Sequence, residues 1–277
     1  MLHPTYRDNE EIFLEDLANS WGFADKCRFV FISRFLTDND DVTNVALANN
    51  LEKKLLEDTK KSAVAEQIQR DCLRTIFRKM EAEGCEFNGV KKNKTDIAKR
   101  WLREVVYLEW WKEHLWGQLK TKGKETDKMG PVVVTEETLD MWEPNSEYAK
   151  SVELGSHIRF EVELDRDGHL LLLEKATSGK LWCLCPSLLA PKPRFEKGKA
   201  VLPQKEAPLK SFLLSGNPGK EEILAAIAPQ SPHFDWLPQP EDKPLLLQGE
   251  HLSGLLAYLE GEAECQVLYM DYEVVKS

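Results

Sequence analysis

No stretch of this chain approaches the roughly 20 consecutive apolar residues that a helix needs to cross a bilayer. The opening "MLHPTYRDNEEIF" lacks a basic segment followed by an apolar one, so it does not read as a secretory leader. There is no surplus of positive charge: the formal net charge is −10. The deficit is uneven. Residues 1–125 carry 22 Lys and Arg against 22 Asp and Glu, whereas residues 126–277 carry 15 against 25. An acidic surface repels phosphate backbones, which argues against nucleic-acid binding by the C-terminal part. Cysteine is sparse, with six in 277 residues. Cys27, Cys72, Cys85, Cys183, Cys185 and Cys265 are scattered without an export signal. Buried free thiols in a cytosolic protein are therefore expected, rather than a disulfide framework.

Catalytic signatures are also missing. There is no G-x-S-x-G elbow, and no cysteine stands in a context resembling a caspase or papain signature. His3, His114, His157, His169, His233 and His251 occur singly. "SGNPGKEE" (Ser215 to Glu222) lacks the P-loop spacing, and "DNDD" (Asp38 to Asp41) lacks the glycine and final Glu of an EF-hand loop. No cofactor is expected.

What is present divides by period. The first 120 residues read as about five helices. "DNEEIFLEDLANSW" offers Asp8 as a cap and Ile12, Phe13, Leu17 and Trp21 as apolar positions. "KCRFVFISRFL" reads as a central helix, and "DDVTNVALANNLEKKLLED" carries Val42, Val45, Leu47, Leu51 and Leu55 at mixed spacing of three and four. "SAVAEQIQRDCLRTIFRKMEAEG" shows a stripe through Val64, Ile68, Cys72, Leu73, Ile76, Phe77 and Met80. Ser62 can cap its start and Gly84 can end it. "KTDIAKRWLREVVYLEWWKEHLWGQL" is the longest, with Ile97, Trp101, Val105 and Leu108 in register. The charged "KTKGKETDKMGP" then suggests a linker at 121–131.

Beyond it the period becomes two. "HIRFEVELD" puts Ile158, Phe160, Val162 and Leu164 on one face and Arg159, Glu161 and Glu163 on the other, a half-buried strand. "HLLLLEKA" and "KLWCLCPS" read as strands joined by "TSGK", followed by "KAVLPQ" and "KSFLLSG". "GKEEILAAIAPQ" suits a strand or a short helix equally. "PLLLQG", a helix in "HLSGLLAYLEG" and a last strand in "ECQVLYMDYEVV" close the chain. The expected fold class is α+β in two domains: a helical bundle over 1–120 and a β-rich, sandwich-like domain with a late helix over 132–277.

Three groups of side chains are candidates for function. The aromatics Trp101, Tyr107, Trp110, Trp111 and Trp116 cannot all lie on one face of a single helix, so some are expected to meet a partner protein. Lys91, Lys92, Lys94, Lys99 and Arg100 could contact phosphates, although Glu104, Glu109 and Glu113 soon follow. A transcriptional regulator whose helical part contacts DNA or a sigma factor is the alternative built on them. Residues two apart in a strand share a face, which would put Cys183 and Cys185 in one layer. Their x1 spacing is not the zinc pattern of Cys-x2–4-Cys, though His157 or His169 could in principle complete a site. An enzyme built there is a second alternative. The expected reading is sheet interior, with Leu181, Cys183 and Cys185 on the core face and Trp182 and Leu184 on the other.

The order "LGSHIRFEVELDRDGHLLLLEKATSGKLWCLCPS", "FEKGKAVLPQ", "FLLSGNPGKEEILAAIA" resembles a bacterial domain-of-unknown-function family, numbered four-three-eight-four. The motifs that carry it are Asp167-Gly168-His169-Leu170, Gly179 to Ser187, Gly198 with Leu202-Pro203, Phe212, and Gly219 to Ala228. The resemblance implies a β-sandwich-type binding module without catalytic residues. It also implies the company of caspase-like proteases, kinases and signalling ATPases in bacterial signalling and defence, CRISPR-linked systems included. The helical part resembles no family. The combined expectation is a non-catalytic cytoplasmic adaptor or regulator that binds other proteins.

Overall fold

The computed structural model describes residues 3–43, 45–49, 62–90, 93–134, 148–261 and 264–276. The chain divides into two compact units, Met1–Trp111 and Lys112–Ser277.

Unit 1 is helical. Helix α1 spans Tyr6–Ser20 and α2 spans Asp25–Phe35. A short 3-10 turn follows over Thr37–Asn39, then α3 over Ser62–Ala82 and α4 over Lys94–Trp101. Helix α5 covers Tyr107–Lys122, and the division between the units falls inside it. Asp8 does not cap α1. The helix starts two residues earlier, with Thr5 at the N-cap, and Asp8 sits in the first turn, where its charge faces unpaired N–H groups. The expected helix after Asp40 is helical over 45–49, with Leu47 and Ala48 buried, while Leu51 and Leu55 lie outside the described residues. On α3, Gln69, Cys72, Ile76 and Met80 form the buried stripe. Gly84 ends this helix as the sequence suggests. Its φ of +100° lets the Gly84 N–H reach Glu81 O (3.2 Å) and the Cys85 N–H reach Met80 O (2.8 Å).

One expectation about cysteine is overturned. Cys27 of α2 and Cys72 of α3 are joined as a disulfide, with Cα atoms 4.9 Å apart. Scattered spacing in the sequence hid the pair because the two residues meet only when α2 packs on α3. Cys85, Cys183 and Cys185 are free and buried, and Cys265 is free and half-buried.

Polar groups fasten α1 and the turn after α2 to the α4 region. Arg103 grips Asp40 with two hydrogen bonds of 2.9 Å, and Lys99 Nζ lies 2.5 Å from the same carboxylate. Glu10 accepts from the Thr37 N–H (2.9 Å) and hydroxyl (2.6 Å). Burial by itself would raise the Asp40 carboxyl; the Arg103 and Lys99 hydrogen bonds prevail and hold it below 3.8. Its stabilisation is therefore complete above the unfolded value and is lost as pH falls from there through the lower folded value. Asp40→Ala leaves two largely buried cations without their carboxylate. A cost of about 2–3 kcal/mol is expected, below the figure for a fully buried pair because the Asp40 side chain is 35% exposed. Denaturant midpoints across the acid limb check this: the variant should lose part of the wild-type slope below about pH 4.

Unit 2 is a β-sandwich. Its strands are β1 Lys124–Glu125, β2 Met129–Val134, β3 Ser151–Glu153 and β4 His157–Leu164. They continue with β5 Gly168–Lys175, β6 Leu181–Cys185, β7 Arg194–Phe195 and β8 Gly198–Leu202. The last are β9 Phe212–Leu213, β10 Gly219–Ala228, β11 Leu245–Leu246 and β12 Gln266–Val275, with α6 over Gly249–Gly261. The larger sheet runs β1-β12-β10-β5-β6-β11, with β3 also on β12 and β7 on β5. The smaller runs β2-β4-β8, with β9 on β4. The segment Lys120–Pro131 thus holds the end of α5, β1 and the first residues of β2.

The inner faces meet in one core that includes Phe160, Val162, Leu172, Ile223, Leu268 and Tyr272. The ambiguous "GKEEILAAIA" is a central strand. It is buried on both faces, which removes the alternation that marks a strand in sequence. For the same reason β4 is not half-buried: Arg159 and Glu161 are buried along with the apolar set. Gly168 opens β5 where a Cβ would stand 2.8 Å from Ile227 Cγ2, so close strand packing requires glycine there.

Against the outer face of this sheet, the C-terminal half of α5 is pinned by polar contacts. Trp116 Nε1 donates to Glu222 Oε2 at 2.7 Å, Lys120 pairs with Glu222, and the Tyr269 hydroxyl donates to the same carboxylate at 2.8 Å.

Candidate functional site

The site begins with a step in the helical register. Between α4 and α5, Leu102–Val106 form a π-helical turn, so the helical path is continuous from Lys94 to Lys122 but carries one extra residue. One line of buried positions runs through Ala98, Leu102, Tyr107, Trp111, Leu115 and Leu119, with Lys99 and Trp116 buried beside it. Along this line the spacing is four everywhere except across the π turn, where it is five. The stripe most visible in the sequence, Ile97, Trp101, Val105 and Leu108, consequently faces outward. Ile97 and Trp101 are half-buried, Val105 is 54% exposed and Leu108 is 41% exposed.

Three of these outward residues line a groove of about 470 Å³ inside unit 1. Ile97, Trp101 and Val105 form one wall, Cys85 and Glu86 after α3 form the other, and Arg100 stands at the rim. Trp101 is fixed from behind by stacking on Trp21, with ring centres 6.2 Å apart. The Cys85 thiol is buried; burial and then the Glu81 charge push it up, with Lys94 acting against them, so it contributes packing rather than a thiolate. Chemically, the groove offers apolar area and an aromatic edge, with the Arg100 cation, the Glu86 and Glu104 carboxylates and the Asn88 amide also in its lining.

Of the aromatics expected to meet a partner, Trp101 lines this groove. Tyr107, Trp111 and Trp116 are buried in the chain's own packing. Tyr107 packs edge-on to Phe13 (5.3 Å) and Tyr6 (4.8 Å), and its hydroxyl bonds Thr5. Trp110 is half-buried and donates to Asp16 at 3.1 Å. The sequence argument that one helix face cannot hold them all is correct. Its resolution is the π turn and the passage of α5 from one unit to the next, which give the rings different neighbours.

The basic set is also divided. Lys99 is buried on Asp40 and is withdrawn from any phosphate. Lys94 lies 3.8 Å from Glu81 and over the Phe87 ring at 4.7 Å. Arg100 is exposed at the groove. Lys91 and Lys92 lie outside the described residues.

Cys183 and Cys185 do not share a face. The ladder between β5 and β6 pairs Leu173 with Cys183 and Leu172 with Cys185, leaving Leu184 as a bulge. Cys185 and Leu184 belong to the core between the sheets, and Cys183 faces the other side with Leu173. Each thiol is fully buried and donates to a carbonyl: Cys183 to Cys185 O (3.3 Å) and Cys185 to Leu170 O (3.1 Å). Burial pushes the Cys183 thiol up to about 12 and the Cys185 thiol well above its ordinary value, the state of an inert packing residue. Among the described residues, no three His, Cys, Asp or Glu side chains are grouped to hold a metal ion. His157 Nδ1 is bonded to Ser211 Oγ at 2.9 Å.

The fold is that of a helical unit followed by a β-sandwich unit with a late helix, and among the described residues no helix is long and apolar enough to cross a membrane. Residues 151–231, from β3 through the end of β10, match the family described as Domain of unknown function (DUF4384). No curated protein matches the chain. A solved structure, Pseudomonas fluorescens alkylpurine DNA glycosylase AlkC bound to DNA containing an abasic site analog, aligns with 98% of this chain at 9% identity and a TM-score of 0.18. The alignment spans 66% of that protein, just under two thirds of its length. A score that low carries no argument about fold or activity.

Proposed function

We propose that this protein is a non-catalytic adaptor or regulator that acts in the cytoplasm by binding other proteins. The helical unit receives a short apolar segment of a partner in the Trp101 groove, and the β-sandwich recognises a second protein. The observation that carries this reading is the outward apolar stripe: Val105 and Leu108 are large aliphatics held at the surface of an otherwise well-packed helix. Trp101, anchored on Trp21, gives a rigid aromatic of the kind that dominates binding energy at protein interfaces. The proposed setting, a bacterial signalling or defence system with caspase-like proteases or kinases as partners, is what the sequence resemblance implies; the matched family itself is described as of unknown function.

Affinity purification with the intact chain and with Val105→Glu tests the reading. Val105 is exposed, so its replacement should change stability by no more than about 0.5 kcal/mol. The variant should lose a specific partner that the wild type captures. Identical partner profiles from the two proteins, with both folded, would remove the groove from the proposal.

A further inference from the structure

Inside the sandwich, three polar groups from adjacent strands meet on the inner face of the larger sheet. Glu221 of β10 is directly opposite Tyr272 of β12, whose hydroxyl donates to Glu221 Oε2. Glu174 of β5 is opposite Ile223 on one side and Trp182 on the other. Residues 221 and 223 share a face, so the Glu174 carboxyl comes to hydrogen-bonding reach of Glu221. Glu221 is 4% exposed and Tyr272 is 1% exposed.

The charged neighbours on these strands point away from the pair. On β5, the neighbouring Lys175 points to the opposite face, toward Glu113 and Glu222. On β10, Lys220 and Glu222 also point away, and on β12 so do Asp271 and Glu273. From β6 the facing group is Trp182, from β3 it is Val152 through its pairing with Val274, and from β4 it is Phe160, whose ring centre is 6.2 Å from that of Tyr272. Among the described residues no Lys or Arg pairs with Glu174 or Glu221. Glu221 is buried and Glu174 is half-buried beside it, so ionising both carries a large cost, because the charged forms repel and Glu221 is shut off from water.

We infer that Glu174 and Glu221 hold one proton between them, with Tyr272 orienting Glu221, and that loss of this proton loosens the β5–β10–β12 part of the sandwich. The pair is a protonation-sensitive latch inside the module that the proposed function assigns to partner recognition, but it is independent of the groove in the helical unit. Removal from water and the Glu221 charge push the Glu174 carboxyl up to about 8. The sign follows. The folded protein binds a proton that the unfolded chain releases near 4.5, so stability is full below that value and falls as pH rises toward 8. One proton gives at most about a tenfold rise in the unfolding constant per pH unit across this window.

The test is unfolding of the full chain between about pH 5 and 9, with and without Glu174→Gln. The neutral isostere should flatten the decline, and at the alkaline end it should be the more stable protein. An unchanged slope in the variant would overturn the inference. A second measurement covers a variant that fails to fold: carboxyl-carbon NMR of wild-type protein labelled at glutamate. A resonance titrating near 8 is expected. If every glutamate carboxyl titrates in the ordinary range, no shared proton exists. Amide exchange in β5 and β12 should accelerate through the same transition, and exchange independent of pH after correction for intrinsic rates would separate the proton from the loosening.

Discussion

Trp116→Ala is expected to lower the stability of the β-sandwich unit by about 3–5 kcal/mol, the range for deleting a large buried aromatic. Trp116 is 1% exposed and is the largest of the fully buried side chains among the described residues. Two losses combine. The cavity left by the indole removes apolar contacts that the sheet cannot replace by small shifts. The indole N–H also serves Glu222, whose carboxyl would be raised by burial but is held below its ordinary value by Lys120, Trp116 and Tyr269. Trp116→Phe separates these terms. It retains much of the ring volume and lacks the donor, while Lys120 and Tyr269 still serve the carboxylate, so a smaller cost of about 1–2 kcal/mol is expected. Urea unfolding with fluorescence and circular dichroism reads both. An alanine variant within about 1 kcal/mol of wild type would mean that the α5 anchor is not part of the sandwich's cooperative core.

Breaking the Cys27–Cys72 bond is expected to cost unit 1 about 2–4 kcal/mol. The bond closes a separation of 45 residues and restricts the unfolded chain more than the folded one. Thiol titration of protein denatured without reductant should find four reactive groups of the six cysteines, Cys85, Cys183, Cys185 and Cys265. Reductant should lower the thermal midpoint of the wild type but not of a Cys27→Ala, Cys72→Ala double variant. Six free thiols in the untreated protein would show that the bond does not form.

The pattern of elements was legible where one face of an element is buried and the other is wet. The helices Tyr6–Ser20 and Ser62–Ala82 were visible in that way, and the β5–β6 hairpin was visible through its turn "TSGK". Legibility failed where both faces are covered. The run Gly219–Ala228 was ambiguous because a strand packed on two sides has no alternation, and Arg159 and Glu161 looked solvated because strand period alone does not show what covers the second face. The short pairings Lys124–Glu125, Ser151–Glu153 and Arg194–Phe195 have almost no local signal, since two or three residues become strands only beside a partner.

The candidate site was half legible. Trp101 and Arg100 were singled out, but Val105 and Cys85 were not, and Tyr107, Trp111 and Trp116 were assigned to a surface they do not reach. A step of five in the apolar spacing between Leu102 and Tyr107 was the available clue. Helical bookkeeping at 3.6 residues per turn prefers the unbroken stripe Ile97, Trp101, Val105, Leu108, which is half-buried at its first two positions and exposed at its last two.

By itself the sequence determined the change of period from helix to strand, the acidic balance of the second half and the burial of the thiols at 183 and 185. These follow from the chemistry of side chains and the two repeat distances of the backbone. Tertiary structure alone decided which face of each element turns inward, because that depends on residues far apart in the chain. The π turn that leaves Val105 exposed, the bulge at Leu184 that sends the two thiols to opposite sides, and the meeting of Glu174 with Glu221 and Tyr272 all arise from such packing.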